Sequence, residues 1–320
     1  MVINSITFSM KTIIKRLKTL SHLIRTRHWV KNTLLFAPLI FSLNLFNIPY
    51  LIYTILAFFS FSFVSVFIYI INDIKDIETD AIHPVKSKRP LPSGDITKKN
   101  AFFIGLFFFI LGISLSITNL KCLIIVLIYF FMNLLYTFKL KRVVIVDIFV
   151  IALGFCLRVL MGAVAINVNL SNWMLLATFS VSLILGFGKR RHELVLLKED
   201  ASGHREILGE YSKEILDIMI TISTGLTAIS YALYTMDPDL INKFGTDSLI
   251  YTFPFVMYGL YRYLYIVYHK SKGGSPEEDL ITDKGILIAV LLWGIMIIIL
   301  LYFHNLFRFS SIFLFKGILC

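Results

Sequence analysis

The sequence predicts an all-α integral membrane protein, a bundle of about nine transmembrane helices around a central cavity that opens to the cytoplasmic side. Apolar residues make up 57% of the 320 residues, and only 16% are charged, against roughly 25% in a typical soluble domain. Apolar runs of transmembrane length recur along the chain, and the basic residues gather in alternate loops between them. Lipid is therefore the solvent for much of this chain.

Nine apolar runs are long enough to cross about 30 Å of hydrocarbon as helices. The boundary between the first two is the least defined, because Asn44, Asn47 and Pro49 fit either a tight turn or a kink. We predict spans near 33–50, 51–71, 100–118, 120–138, 143–166, 172–189, 213–235, 248–268 and 285–304.

The basic residues give the bundle a direction. With the N-terminus inside, the predicted cytoplasmic segments carry 26 Lys and Arg residues, and the opposite side carries four. This imbalance fixes the orientation by the positive-inside rule. It also accounts for the net charge of +11 without nucleic acid as a partner.

We expect residues 1–320 to form a single transmembrane domain, because the chain has no low-complexity linker and no second soluble domain. Residues 1–28 form a basic N-terminal segment in which apolar residues recur at helical spacing between positions 13 and 24. This pattern is typical of an amphipathic helix that lies on an anionic inner leaflet. Three cytoplasmic loops carry the remaining candidate site residues outside the spans: 72–99, 189–213 and 269–284.

The first of these loops opens with NDIKDIETD (72–80). Asp73, Asp76 and Asp80 fall within about a 60° arc of one helix face, at ~100° per residue. Three like charges on one face repel each other unless a cation lies among them, and hard divalent cations prefer carboxylate oxygens. We predict that these aspartates bind Mg²⁺, with Mn²⁺ as an alternative ion, and that Asn72 orients a carboxylate or a metal-bound water.

A basic turn, HPVKSKRPLPSG (83–94), follows the aspartates. Its His83 precedes a proline and is biased towards extended geometry, so the helix ends soon after Asp80. Lys86 and Arg89 then lie close to the carboxylates. A positive-inside loop with incidental acids is the structural alternative, but aspartates at a membrane boundary are costly unless they are used. The stretch therefore predicts a site where a magnesium-bound diphosphate meets basic side chains.

Both stretches resemble the first aspartate-rich motif, NDxxDxxxD, and its continuation in the UbiA superfamily of intramembrane prenyltransferases. Other stretches resemble one branch of it, the polyprenyl-phosphate phosphoribosyltransferases: RTRHWVKNTLLFAPL (25–39), GKRRHELVLLKED (188–200) and GGSPEEDLITD (273–283). The resemblance implies a multi-pass protein of the bacterial inner membrane with its active site on the cytoplasmic side. It also implies two substrates, 5-phosphoribosyl 1-diphosphate (PRPP) and a long-chain polyprenyl phosphate, used in making lipid-linked sugars of the cell envelope.

One departure from the superfamily pattern bears on the donor. Members that use prenyl diphosphates carry a second motif, DxxxD, at the end of the sixth span, where this chain reads GKRRHEL (188–194). Lys189 and Arg190 replace carboxylates there, and Glu193 follows. Such a site should hold fewer metal ions and more bare phosphate, which favours PRPP over a prenyl diphosphate.

Arg158 lies in the middle of the fifth span, where a buried Arg costs several kcal/mol, so a paired or functional role is expected. Asp147 lies about three turns away on the same face. Two roles stay open for Arg158, an ion pair that fixes the bundle or a phosphate contact at the floor of the cavity. Lys31 and Asn32 match the WxKN of the family motif and are further candidates.

The loop after the sixth span adds Arg205 and Tyr211 as phosphate contacts of a lid. The reaction implied by the resemblance transfers 5-phosphoribose from PRPP to the polyprenyl phosphate and releases diphosphate. Lys86, Arg89, Lys189 and Arg190 would hold the remaining phosphates.

Two alternatives remain at the level of sequence. A UbiA-type prenyltransferase with an aromatic acceptor would require the second aspartate motif, which is absent. A lipid or phosphate transporter would place polar residues at the midplane of several spans, whereas here they cluster at one face. The sequence leaves the oligomeric state and the polyprenyl chain length open.

Overall fold

A computed structural model describes residues 17–82, 85–197, 206–269 and 282–303. These residues form helices joined by short turns, with no strand among them, which confirms the all-α prediction. After a short helix at 17–23 comes a 3₁₀ helix, Thr26–Phe36. The α-helices then follow in chain order: α1 Ala37–Phe41, α2 Ile48–Lys75, α3 Ile77–Ile82, α4 Lys98–Ser116, α5 Leu120–Phe138, α6 Val146–Ala165, α7 Asn172–Leu197, α8 Lys213–Met236, α9 Pro238–Phe244, α10 Phe253–His269 and α11 Lys284–Tyr302.

Seven described helices, α2, α4, α5, α6, α7, α8 and α11, are long and apolar enough to cross a membrane. The other two predicted spans fall short of that length, so the count of nine is not confirmed. One corresponds to α10, which has 17 residues. The other, 33–50, is divided: Thr26–Phe36 and α1 end at Phe41, and α2 begins only at Ile48. The stretch with Asn44 and Asn47 is therefore a turn, which is one of the two alternatives that the sequence allowed.

Side-chain caps explain where several helices begin. The Asn47 side chain accepts a hydrogen bond from the Tyr50 amide at the start of α2, and the Thr97 side chain does the same for the Asn100 amide at the start of α4. Asn119, Ser212 and Asp283 cap α5, α8 and α11 in the same way. Such caps satisfy amide donors that have no partner within the helix.

Small residues let the helices that carry the site approach closely. A Cβ at Gly162 in α6 would lie 2.0 Å from the Leu35 carbonyl oxygen, so only glycine fits against the 3₁₀ helix. A Cβ at Gly112 in α4 would meet the Ser60 carbonyl oxygen of α2 at 2.8 Å. Without water to drive association, such packing is a main source of contact between helices in lipid.

Some predicted features lie outside the described residues. They are residues 1–16 of the amphipathic segment, Arg205, and most of the predicted loop at 269–284. The described end of the N-terminal segment packs Leu23 against Val66, Ile70 and Leu91 of the bundle.

Candidate active site

One cavity of ≈ 450 Å³ collects most of the predicted site residues. Its lining carries eight Lys or Arg side chains and only three carboxylates. The cavity therefore has a surplus of positive charge, which suits a ligand with several anionic groups. Nine predicted residues line it: Lys31, Asn72, Asp76, Asp80, Lys86, Arg89, Arg158, Lys189 and Glu193.

Arg89 holds two of the three aspartates together. Its Nη1 donates to Asp80 Oδ2 at 2.7 Å and to Asp73 Oδ1 at 3.2 Å. Asp80 also lies 3.6 Å from the ammonium of Lys86, and Asp73 accepts a 2.5 Å hydrogen bond from Arg25. Asp73 and Asp80 do share one side of the helical segment, as the spacing predicts, and the cation between them is a guanidinium.

The third aspartate has a separate partner. The helix breaks at Asp76, which ends α2 with φ −93° and ψ 12°. Its carboxylate accepts hydrogen bonds of 2.6 and 2.7 Å from Lys141, in the turn between α5 and α6. The described residues contain no group of three or more His, Cys, Asp or Glu side chains placed to hold a metal ion. The three aspartates thus do not form one metal cluster in this structure.

Burial perturbs the central cation. Desolvation lowers the pKa of Arg89, and the neighbouring charge of Arg25 lowers it further, while Asp73 and Asp80 oppose both effects. The two aspartates therefore stabilise the charged guanidinium. A phosphate oxygen would supply the same kind of partner.

The end of α7 divides the predicted basic residues between two environments. Lys189 and Glu193 line the cavity. Arg190 does not, because its side chain is only 2% exposed and points at the neighbouring helix. Its Nε donates to Asp147 Oδ2 at 2.8 Å, and its Nη1 donates to Glu193 Oε2 at 2.7 Å. A direct phosphate contact by Arg190 is not supported by this geometry; the residue instead orients Glu193 towards the cavity.

Tyr211 belongs to the same buried network. Its hydroxyl donates to Asp147 Oδ1 at 2.9 Å and accepts a 2.7 Å bond from the Ile145 amide. Ile145 has φ 70°, a strained conformation for a β-branched residue. Burial raises the pKa of Tyr211, and the Asp147 carboxylate raises it further, so the hydroxyl remains a donor. Tyr211 also lies outside the cavity lining, and a lid contact to phosphate finds no support here.

The structure shows which described residues Arg158 contacts. The Asp147 carboxylate accepts from Arg190 and Tyr211, and no ion pair of Arg158 with it is seen. The Arg158 guanidinium instead donates to Asn32 Oδ1 at 2.7 Å, to the Gly154 carbonyl at 2.8 Å and to the Tyr129 hydroxyl at 3.1 Å. Asn32 is 2% exposed and supports Arg158 from behind rather than lining the cavity.

Several cavity residues were missed by sequence reasoning. Arg25 and Lys141 counted only towards the positive-inside imbalance, although both pair with the aspartates. Tyr129, Asn133 and Tyr136 line the cavity from one face of α5. The signal was available, because polar side chains at i, i+4 and i+7 in an otherwise apolar helix predict a face turned away from lipid.

Comparisons with known proteins point to one family. A model of the UbiA prenyltransferase family matches residues 33–278. A relative from Corynebacterium glutamicum named decaprenyl-phosphate phosphoribosyltransferase is 32% identical over 295 residues, 89% of this chain and 87% of that protein. A protein of the same name from Mycobacterium tuberculosis is 29% identical over 280 residues, 84% of this chain and 90% of its own.

The fold agrees as well. The solved structure of a UbiA homologue from Archaeoglobus fulgidus, bound to GPP and Mg²⁺, matches with a TM-score of 0.66 over 88% of this chain and 99% of that one, at 18% identity. The chain therefore belongs to the UbiA prenyltransferase family, an integral-membrane family of transferases.

Proposed function

We propose that this enzyme transfers 5-phosphoribose from PRPP to the phosphate of a long-chain polyprenyl phosphate and releases diphosphate. The observation that carries the proposal is the charge of the cavity, which is lined by eight cations against three carboxylates. A prenyl diphosphate brings one anionic end and an apolar tail. PRPP brings a diphosphate and a separate monophosphate, and the acceptor adds a third phosphate group.

The position of the cations supports the same donor. Lys189 lines the cavity at the end of α7, where superfamily members that use prenyl diphosphates carry a second aspartate motif. The names of the relatives from Corynebacterium and Mycobacterium also indicate a phosphoribosyl group and a decaprenyl phosphate. A lipid-linked phosphoribose made in the inner membrane would serve the synthesis of cell-envelope sugars.

The chain's own residues would mainly position the substrates and stabilise charge. Lys86, Arg89 and Lys189 would hold donor phosphates through charge-assisted hydrogen bonds. The bond between the anomeric carbon and the diphosphate oxygen breaks, and its electron pair leaves with the diphosphate. An oxygen of the lipid phosphate forms the new bond to that carbon from the opposite face. Because this nucleophile is already anionic near neutral pH, no side chain has to remove a proton from it.

The donor set of the site fits Mg²⁺, with Mn²⁺ as an alternative. The Asp76 and Asp80 carboxylates and the Asn72 side chain line the cavity, and Mg²⁺ usually binds through one or two carboxylates plus substrate phosphates. Asp76 and Asp80 would hold the ion, while Asp73 keeps Arg25 and Arg89 in place. When bound, the ion neutralises charge on the leaving diphosphate. We expect excess chelator to abolish turnover and added Mg²⁺ to restore it; full activity in chelator would contradict the metal assignment.

The proposal is tested with purified protein, labelled PRPP and Mg²⁺. We expect a labelled lipid product with a polyprenyl phosphate as acceptor and none with the corresponding polyprenol, because the nucleophile is a phosphate oxygen. A parallel reaction offers a prenyl diphosphate and 4-hydroxybenzoate. Prenylated 4-hydroxybenzoate, without any product from PRPP, would replace the proposal with ordinary prenyl transfer.

A further inference from the structure

Arg158 is a buried cation whose described partners are all neutral. The residue is 4% exposed. Its three hydrogen bonds go to an amide oxygen, a backbone carbonyl and a phenol, those of Asn32, Gly154 and Tyr129. Its guanidinium also lies 4.9–5.2 Å from the ring centres of Phe61, Tyr129 and Phe155. No carboxylate among the described residues takes part.

Such an arrangement is expensive unless an anion completes it. A charge buried without a counter-charge costs several kcal/mol, and an ionisable residue within a membrane span points to function. Five other arginines of the bundle have a described carboxylate partner: Asp73 or Asp80 for Arg25 and Arg89, Asp147 for Arg190, Asp217 for Arg191 and Asp283 for Arg262. Arg158 differs in that its side chain lines the cavity without one.

The surroundings of Arg158 hold its guanidinium in a fixed orientation. Asn32 donates to Ser62 Oγ at 2.9 Å, and Tyr129 lies 3.2 Å from Ser65 Oγ. The two side chains that accept from Arg158 are thus each held by a serine of α2. A preorganised guanidinium fork is suited to bidentate recognition of a phosphate.

Arg158 lies deeper along α6 than the described partner of Asp76. It lies twelve residues beyond the start of α6 at Val146, which is about 18 Å along the helix axis, whereas Lys141, which pairs with Asp76, precedes that start. Its bond to Gly154 shows that the guanidinium turns back by one helical turn towards the charged end of the cavity. The cavity thus has positive charge at two levels, at Arg89 and Lys86 near the loops and at Arg158 within the bundle.

We propose that Arg158 is the centre of a second, deeper subsite that binds a phosphate monoester, apart from the diphosphate held near the aspartates. The assignment rests on the proposed function for the identity of the ligand. Two sources have this chemistry, the 5-phosphate of the donor and the phosphate of the lipid acceptor. Either one would place a second anionic group within the span and give the cavity a specificity that a prenyl diphosphate cannot meet.

The test measures binding rather than turnover. Ribose 5-phosphate, farnesyl phosphate and inorganic diphosphate are titrated against the full-length wild type, Arg158→Gln and Arg158→Lys, each shown by thermal unfolding to be folded. Arg262→Gln is the matched control, because it removes the same charge from an arginine outside the cavity lining.

We expect Arg158→Gln to weaken one of the two monoesters at least tenfold and to leave diphosphate within twofold. Loss of ribose 5-phosphate identifies the donor as the source, and loss of farnesyl phosphate identifies the acceptor. Arg158→Lys, which keeps the cation but not the fork, should give an intermediate loss, and it carries the test if the Gln variant does not fold. Unchanged binding of both monoesters, or an equal loss for diphosphate, overturns the subsite. Absence of PRPP turnover in the wild type would refute the proposed function alone, since these titrations do not depend on catalysis.

Discussion

At the scale of single residues, the acidic motif is half of an ionic arrangement whose other half is basic. Sequence spacing predicted that Asp73 and Asp80 share a face, and both do reach Arg89 Nη1. Spacing could not predict that Arg25 and Lys141 complete the arrangement, because their proximity depends on how the segment around Thr26 and the turn before α6 pack against α2. Local periodicity reports a face but not what packs on it.

Asp80 should matter for catalysis far more than its neighbour Glu78. Asp80 is 4% exposed and paired with Arg89 and Lys86, whereas Glu78 is exposed on the same short helix. We expect Asp80→Asn to lower kcat/KM for PRPP at least tenfold, because it removes a proposed ligand of the metal and a partner of two cations. Glu78→Gln, the same change of charge two residues away, should stay near wild type. Equal activities of the two variants would contradict a site role for Asp80.

Lys189 should contribute to donor affinity. A charge-assisted hydrogen bond to phosphate is worth about 1.5–3 kcal/mol, or about tenfold or more in Kd. We therefore expect Lys189→Ala to weaken PRPP binding by that factor in a direct titration. Lys121→Ala is the control, because Lys121 is exposed at the start of α5 and does not line the cavity. Unchanged affinity in Lys189→Ala, with normal membrane insertion, would leave this lysine only a role as a headgroup anchor.

At the scale of helices, the sequence predicted positions well and partners poorly. The predicted span 143–166 is α6, Val146–Ala165, because apolar composition alone bounds a helix in lipid. Asp147 and Arg158 share a face of that helix, yet Asp147 pairs with Arg190 of α7. Which of two arginines takes a carboxylate depends on the packing of α6 against α7, and no single-helix pattern contains that information.

Substitution of Arg190 should therefore lower the stability of the fold more than the affinity for PRPP. Asp147 is fully buried and Arg190 is 2% exposed, and removing one partner of a buried pair costs about 3–5 kcal/mol. We expect Arg190→Gln to lower the unfolding temperature clearly and Asp147→Asn to do the same. The double variant should lose less than the two single losses together, since neither charge is then left unpaired. Strict additivity in thermal unfolding, with a tenfold loss of PRPP affinity in Arg190→Gln, would favour a direct phosphate contact instead.

Glu193 depends on that pair for its orientation. Its carboxylate accepts from Arg190 Nη1 and lines the cavity. We expect Glu193→Gln to fold normally and to keep KM for PRPP within about threefold. Its main effect should be a lowered kcat. A rise in KM with kcat unchanged would mean that Glu193 only helps to bind the donor.

At the scale of the whole molecule, hydropathy predicted the class of fold but not how each span is built. The first predicted span, 33–50, contains the end of the 3₁₀ helix, the short α1, a turn and the start of α2. The 3₁₀ helix also carries Arg27, Lys31 and Asn32 just before that span, so an apolar window misses where the segment begins. The seven described helices that are long enough to cross a membrane are ordinary α-helices, and their positions follow from composition.

The orientation of the bundle remains a prediction with a direct consequence for the substrate. The proposed donor, PRPP, is a soluble polyanion that does not cross a bilayer, so the proposal requires a cavity that opens to the cytoplasm. The 26 basic residues predicted inside, against four outside, favour the same orientation. Ser93 lies in the basic turn, residues 83–94, and Thr118 lies between α4 and α5; both are exposed. In a background with Cys122, Cys156 and Cys320 replaced by serine, a membrane-impermeant maleimide should label Thr118→Cys in intact cells and Ser93→Cys only after permeabilisation. The reverse pattern, in variants that retain activity, would place the cavity on the outer face and remove PRPP as the donor.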